Sequence, residues 1–224
     1  MNFDKDVIFI EIYIFNQCGG GVFETVMRFQ IQDPTYGNTK PLRETILNNC
    51  SGMGAGAGAY AFATSEGVNF LLGDERFRDF ISDGSFFLVV GTDDITNVRA
   101  LRTLKDFEDE FSGNLKVSVY IHDAIGSIFH PKYSWFQSKV SGGKLIIGSG
   151  NMTKRGMKNN REAYAIIELD EGQMVEVKQE WNRWVMHSRQ YLYSLDDAID
   201  IMSQRDRSLI GRFVHALKKA MGIG

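Results

Sequence analysis

The sequence predicts an α/β fold, a mixed β-sheet flanked by helices on both faces, and three observations predict it. Strand-like and helix-like segments alternate between residues 57 and 121, an order that implies parallel neighbours because parallel strands need crossovers. Closely spaced strand-like runs follow between residues 129 and 169. Twenty-three glycines stand against three prolines, a balance suited to the tight turns and close backbone approaches of a sheet. With 224 residues, 43% hydrophobic and 12% aromatic, the chain is long enough to bury the core of one domain.

The runs from Val7 to Phe15 and from Phe23 to Ile31 are rich in β-branched and aromatic residues, and Cys18-Gly19-Gly20-Gly21 separates them. They read as a hairpin or two neighbouring strands. A turn-rich link from Asp33 to Asn38 leads to a short helix starting at Pro41. The glycines at 52, 54, 56 and 58 alternate strictly, do not fit G-x-G-x-x-G, and no Gly-Lys-Ser/Thr follows. That run reads as a flexible lead-in to a strand from Ala57 to Thr64.

Glu66 to Ile81 is helical with an interruption at Gly73, and Ser85 to Gly91 is a continuous apolar run of the buried-strand kind. Thr96 offers an N-cap to a helix whose Val98, Leu101, Leu104, Phe107 and Phe111 share one face. Leu115 to Ile121 is a strand, and further strands run from Phe129 to Phe136, Lys144 to Gly148 and Ala163 to Leu169. From Gln173 to Met221 helical periodicity dominates. Trp181, Trp184, Val185 and Tyr191 fall on one helix, with Ile199, Leu209, Phe213 and Leu217 beyond it. Aromatic residues at this spacing read as core, covering one sheet face or forming a dimer contact, rather than as a binding pocket.

Two cysteines, Cys18 and Cys50, exclude a disulfide framework and a cysteine-based zinc site, and the chain reads as cytoplasmic. The first apolar run is broken by Glu11 and preceded by Asp4 and Asp6, so it reads neither as a secretory leader nor as a membrane span. The net charge of -3 conceals an uneven distribution. Between His130 and Arg161 lie seven basic residues and no acidic one, which leaves 18 basic against 28 acidic residues elsewhere. A polyanion such as nucleic acid is steered to such a segment, unless it is only a solvated basic face.

The same segment carries the residues suited to chemistry: Phe129-His130-Pro131-Lys132-Tyr133, then Gly148-Ser149-Gly150-Asn151-Met152-Thr153, then Asn160-Arg161-Glu162. Strand alternation puts His130 and Lys132 on one face. At Gly148-Ser149-Gly150-Asn151 small residues let the backbone approach a phosphate while Ser149 and Asn151 supply hydrogen bonds. Glu162 is placed to accept from a histidine ring nitrogen and fix its tautomer. Lys154 and Arg155 are the nearest cations for substrate binding. No carboxylate cluster or H-E-x-x-H offers a metal site, and no cofactor is implied. His122, His187 and His215 lack motif context and read as structural or surface residues.

On these motifs the sequence resembles the phospholipase D superfamily, whose pattern is H-x-K-x4-D followed by G-S-x-N. His130-x-Lys132 and Gly148-Ser149-x-Asn151 match it, and Glu162, eleven residues after Asn151, resembles the nuclease branch. The pattern's aspartate falls on Gln137, a loss that shifts weight to Glu162. The wording around both motifs is most similar to metal-independent restriction enzymes with one motif per chain.

The resemblance covers residues 57 to 170. It implies a phospholipase D-like nuclease domain over 1–170, with 1–50 as an N-terminal extension and helices from 171 to 224 packed on the same domain. It implies DNA hydrolysis without a metal, through a phosphohistidine on His130, in restriction or phage defence. Lys132 and Asn151 would stabilise phosphoryl charge, with Ser149 assisting, and the second histidine would come from a homodimer. A phospholipid hydrolase or transferase and a non-catalytic nucleic-acid-binding subunit are the alternatives. The residues after 170 read as too few and too helical to resemble a sequence-reading module, so a helicase or other ATPase is the expected partner, with no membrane involved.

Overall fold

The computed structural model describes residues 10–18, 21–93, 95–122 and 126–205, with side chains from Thr25 onward. One nine-stranded sheet organises them, in the order β1-β2-β8-β7-β6-β3-β4-β5-β9. Its strands are β1 (Ile10–Cys18), β2 (Gly21–Gln32), β3 (Met53–Tyr60), β4 (Ser85–Gly91), β5 (Leu115–Tyr120), β6 (Lys132–Ser138), β7 (Gly143–Gly148), β8 (Glu162–Leu169) and β9 (Leu192–Tyr193). The pairs β3/β4 and β4/β5 are parallel, and every other neighbouring pair is antiparallel. Of the two arrangements open to the first two runs they take the hairpin, and the alternating middle of the chain forms the parallel part, as expected.

Helices α1 (Leu42–Cys50), α2 (Ser65–Leu72), α3 (Glu75–Asp83) and α4 (Val98–Glu110) bury Leu47, Leu72, Phe77, Leu101 and Leu104 with Phe86, Phe136 and Tyr164 of the sheet. Helix α5 (Glu171–His187) lays Met174 and Trp181 on the opposite face, against Ala57, Ala59, Val89 and Trp135. The sheet thus has helices on both faces. A capping box at α5 joins Asp170 and Gln173, so this helix starts where a side chain satisfies its first amides.

The glycine-alanine run is not a flexible lead-in but the strand β3 itself, starting at Met53. On one side of it, a Cβ at Gly56 would lie 2.8 Å from the Trp135 carbonyl and 2.9 Å from the Phe136 ring, and one at Gly58 would lie 2.6 Å from Ser134 Oγ. The stacked Phe86 and Phe136 rings, 5.9 Å apart, fill the space that side chains would need there. On the other side Ala57 and Ala59 lie in the cluster under α5. The alternation is a packing pattern with the two-residue period of a strand.

Other boundaries moved for local reasons. The helix from Glu66 to Ile81 is two helices, broken at Gly73, with Asp74 capping the second by accepting from the Arg76 amide at 3.0 Å. The N-cap of α4 is Asn97, which accepts from Ala100 N–H at 3.0 Å, whereas Thr96 Oγ1 is taken by Ala63 N–H at 2.9 Å. The tail is interrupted by β9, which pairs with β5, before helical backbone resumes at 195–205. Leu209, Phe213, Leu217 and His215 lie outside the described residues. No helix among the described residues is long and apolar enough to cross a membrane.

Candidate active site

The site forms at one end of the sheet, where β3 ends at Tyr60 opposite Lys132, the first residue of β6, and β7 ends at Gly148 opposite Tyr164 of β8. The parallel strands β3 to β5 also finish at this end, the usual place for a site in an α/β sheet. His130 lies two residues before β6, outside the strand in which the sequence puts it. The connecting residue Pro131 is nevertheless fixed, because its carbonyl accepts from Ala61 N–H at 2.8 Å. Strand alternation is therefore not what unites His130 and Lys132. Their side chains meet directly, with Lys132 Nζ 3.0 Å from each ring nitrogen of His130 and 3.2 Å from its carbonyl.

Asn151 is oriented by the chain beyond β3. Its Oδ1 accepts from Phe62 N–H at 3.1 Å, which leaves its amide hydrogens available as donors. Two backbone bonds clamp the same loop, Met152 N–H to the Phe62 carbonyl at 3.0 Å and Thr64 N–H to the Met152 carbonyl at 3.1 Å. Phe62 also sets its ring edge-on to His130, 5.9 Å between centroids. One residue therefore touches both motifs. Nothing in its local sequence announces this, since Phe62 lies 89 positions from Asn151.

Glu162 accepts from Ser149 Oγ and, at 3.1 Å, from Asn160 Nδ2. Ser149 is held further by Ala163, whose amide donates to its Oγ at 3.1 Å and whose carbonyl takes its N–H at 3.0 Å. Among the described residues the expected bond from a histidine ring to Glu162 is absent. The carboxylate still reaches Lys132: burial pushes the Lys132 pKa below its ordinary value, and the charge of Glu162 partly offsets that shift. Asn160 was missed as a holder of Glu162, although the Asn-x-Glu spacing stood in the sequence.

The glycines of the motif serve packing. A Cβ at Gly148 would come within 2.4 Å of Tyr164 Cβ, and one at Gly150 within 2.5 Å of Leu42 Cδ2. An unforeseen turn of π-helix at Arg155–Asn159 follows, in which Gly156 sits 2.8 Å from Asn151 N by the same measure. Asn151, Lys154, Arg155, Asn160 and Glu162 line one groove of about 480 Å³. His130 lines a second groove of about 430 Å³.

The positive segment is less positive in space than in sequence. Lys139 pairs with Asp83, Lys144 with Glu168 at 3.6 Å, Lys154 with Glu66 at 2.7 Å and Arg161 with Asp33 at 3.0 Å. Lys132, Arg155 and Lys158 have no acidic ion-pair partner among the described residues. Of the other histidines, His187 is exposed, and His122 lies 3.4 Å from Asp93 at the ends of β5 and β4. Asp93 also accepts the Phe129 N–H at 2.6 Å, so it anchors the segment leading into His130. Among the described residues no three His, Cys, Asp or Glu side chains are grouped closely enough to hold a metal ion.

Residues 88–187 match a family model described as cardiolipin synthase, PLD-like domain. No curated protein matches the sequence. In fold the chain is similar to NucT from Helicobacter pylori, at 12% identity and a TM-score of 0.51, over 75% of this chain and 99% of that one. It is similar to a phospholipase D family member, Nuc from Salmonella typhimurium, at 13% identity and a TM-score of 0.50, over 75% and 97% of the two chains. A phosphatidylserine synthase from Haemophilus influenzae Rd KW20 matches at 12% identity and a TM-score of 0.53, over 85% of this chain and 47% of that one. The resemblance to the phospholipase D superfamily read from the two motifs is borne out.

Proposed function

We propose that this chain, residues 88–187 of which match a phospholipase D-like family model, hydrolyses DNA phosphodiester bonds without a metal ion, through a phosphohistidine formed on His130 in a homodimer. The observation that carries this reading is the meeting of His130 and Lys132, 3.0 Å apart, beside Asn151 and the Ser149–Glu162 pair at one end of the sheet. A ring nitrogen of His130 attacks phosphorus, the bond to the leaving oxygen breaks, and the partner's His130 gives that oxygen a proton. Water then displaces the histidine from phosphorus, with the partner's His130 taking its proton, so both imidazoles return to their starting states.

Lys132 and the free Asn151 amide donate to the nonbridging oxygens, where charge gathers in the transition state. Glu162, itself held by Asn160, accepts from Ser149, and Glu162 balances the lysine charge. A second copy is needed because each chain has one such histidine. Phe29, Ile31 and Ile147 are 37%, 55% and 47% exposed on the same sheet face as α5, on the part that the helix does not cover, and an apolar patch of this kind suits self-association.

The setting we propose is restriction or phage defence, with sequence choice supplied by a partner such as a helicase or other ATPase; a purified chain that cuts one defined sequence unaided contradicts that part. The reading itself is tested by a nuclease assay in EDTA on wild type and His130→Ala, with mass measured in solution. Activity in EDTA that is lost in His130→Ala, from a dimer, is the expected result. Activity lost on chelation, or retained in His130→Ala, or expressed by a monomer, defeats it.

A further inference from the structure

The groove beside His130 is walled by aromatic rings and, among the described residues, by no lysine or arginine. Tyr120, Phe129, Tyr133, Trp184 and Tyr191 line it together with His130. Three of the rings share nearly one orientation: Tyr120 and Phe129 are 4.4 Å apart at 14°, Tyr120 and Trp184 6.4 Å at 13°, and Phe129 and Trp184 6.0 Å at 20°. Tyr191 stands 5.7 Å from Tyr120. Its turn is fastened to the sheet by the bond from Ile121 N–H to the Tyr191 carbonyl at 2.9 Å and by the pairing of β9 with β5. Tyr120, Tyr133, Trp184 and Tyr191 all remain part-exposed. This departs from the expectation that the aromatic residues of the tail are simply core, which holds for Trp181 at 5% exposure.

The two grooves divide the chemistry of a nucleotide. One carries the Asn151 amide and Arg155, with Lys154 held by Glu66 and with Glu162 beside them, while the other offers flat rings without Lys or Arg among the described residues. His130 belongs to the aromatic groove and touches Lys132, so a phosphate held there has the aromatic walls beside it. A volume of about 430 Å³ accepts a purine with room for its sugar. A base can lie against those rings only if it has left the stack of a duplex.

We propose that this groove is a nucleobase subsite, in which a base flanking the reacting phosphate stacks on the Tyr120, Trp184 and Tyr191 rings, so that the substrate is single-stranded or locally opened DNA. The proposal rests on the phosphodiesterase reading of the same site.

The test uses the full chain in EDTA with a short single-stranded oligodeoxynucleotide, the same strand annealed to its complement, and a strand of tetrahydrofuran linkers that lacks every base. Wild type should cleave the base-bearing single strand at least about tenfold faster, by kcat/KM, than either of the others. Trp184→Leu and Tyr191→Ala should each bring the ratio of base-bearing to baseless cleavage toward one. Equal cleavage of the baseless strand by wild type overturns the subsite, whatever the variants do, and so does a ratio that survives in both variants. If wild type cleaves nothing, the endonuclease reading fails by itself. The groove is then judged by a strand containing 2-aminopurine, whose fluorescence is quenched on stacking: quenching by wild type upholds the subsite and its absence refutes it. A tryptophan emission shift with dihexanoyl phosphatidylglycerol and no 2-aminopurine quenching would assign the groove to an acyl chain and overturn the proposal.

Discussion

The carboxamide oxygen of Asn151 accepts the backbone N–H of Phe62 at 3.1 Å, so the side chain is aimed by a residue 89 positions away in sequence. Only the amide end is left for a substrate. Asn151→Asp keeps the acceptor and removes the donor. The expected result is a fold of unchanged melting temperature with kcat lowered by about 10²–10³, the usual cost of one lost transition-state donor. Steady-state kinetics with a thermal melt check it, and a variant of normal rate removes Asn151 from the mechanism.

Lys132 should set the alkaline limit of activity. Burial lowers its pKa from the ordinary 10.5, so the ammonium is lost at a lower pH than for an exposed lysine, and activity that needs the charge falls as pH rises through that lowered value. Lys132→Arg, which stays charged, should turn slower but lose this alkaline fall. A pH profile of kcat on both proteins decides, and identical alkaline limbs would refute the assignment.

The first turn of α2 lies directly on the Asn151 loop. A Cβ at Gly67 would come within 2.3 Å of the Met152 carbonyl oxygen, a backbone atom that cannot swing aside. Gly67→Ala should destabilise the chain by about 1–3 kcal/mol, as overpacking does, and slow the reaction by displacing the loop. Denaturant unfolding and kinetics on the same preparation give both quantities. Loss of stability with an untouched rate would show that the loop does not move with α2.

Asp74 receives bonds from Arg76 and, at 2.6 Å, from Arg43, and the Arg76 bond is the main cause that holds its pKa below the ordinary 3.8. Its stabilisation is therefore fully present above about that ordinary value and is lost as pH falls through the lower folded value. Asp74→Asn, which can still cap α3, should cost about 1 kcal/mol at neutral pH, and the difference from wild type should shrink in acid. Melting curves across that range test it; a constant difference would mean that the charge is not what matters.

Cys50 is fully buried, and that burial pushes its thiol pKa up to about 12. It should resist alkylation by iodoacetamide in the folded chain and react promptly in denaturant. Peptide mapping by mass spectrometry distinguishes it from Cys18, and rapid native labelling of Cys50 would mean that α1 opens readily.

Where neighbours are close in sequence, the reading was accurate. The closely spaced strands that become β6, β7 and β8, the alternation that makes β3, β4 and β5 parallel, and the two neighbouring runs that pair as β1 and β2 are marked by periodicity and turn residues. Failures came where tertiary packing overrode local pattern. The glycines of β3 look flexible until Phe86 and Phe136 fill the space above them, and Thr96 looks like a cap until Ala63 claims its hydroxyl.

By itself the sequence determined which residues are candidates to meet a phosphate: the spacing of His130, Lys132, Ser149, Asn151 and Glu162 on or beside three consecutive strands is a local property of the chain. Only the tertiary structure decided how they are held. Glu162 binds Ser149 and Asn160, Phe62 aims Asn151, four of the seven segment cations are paired with distant carboxylates, and rings from β5, the residue before His130, and α5 form the groove beside it. The physical reason is range. Periodicity reports which face a residue takes on its own element, whereas hydrogen-bond partners and ring contacts depend on elements that meet only after the sheet is assembled.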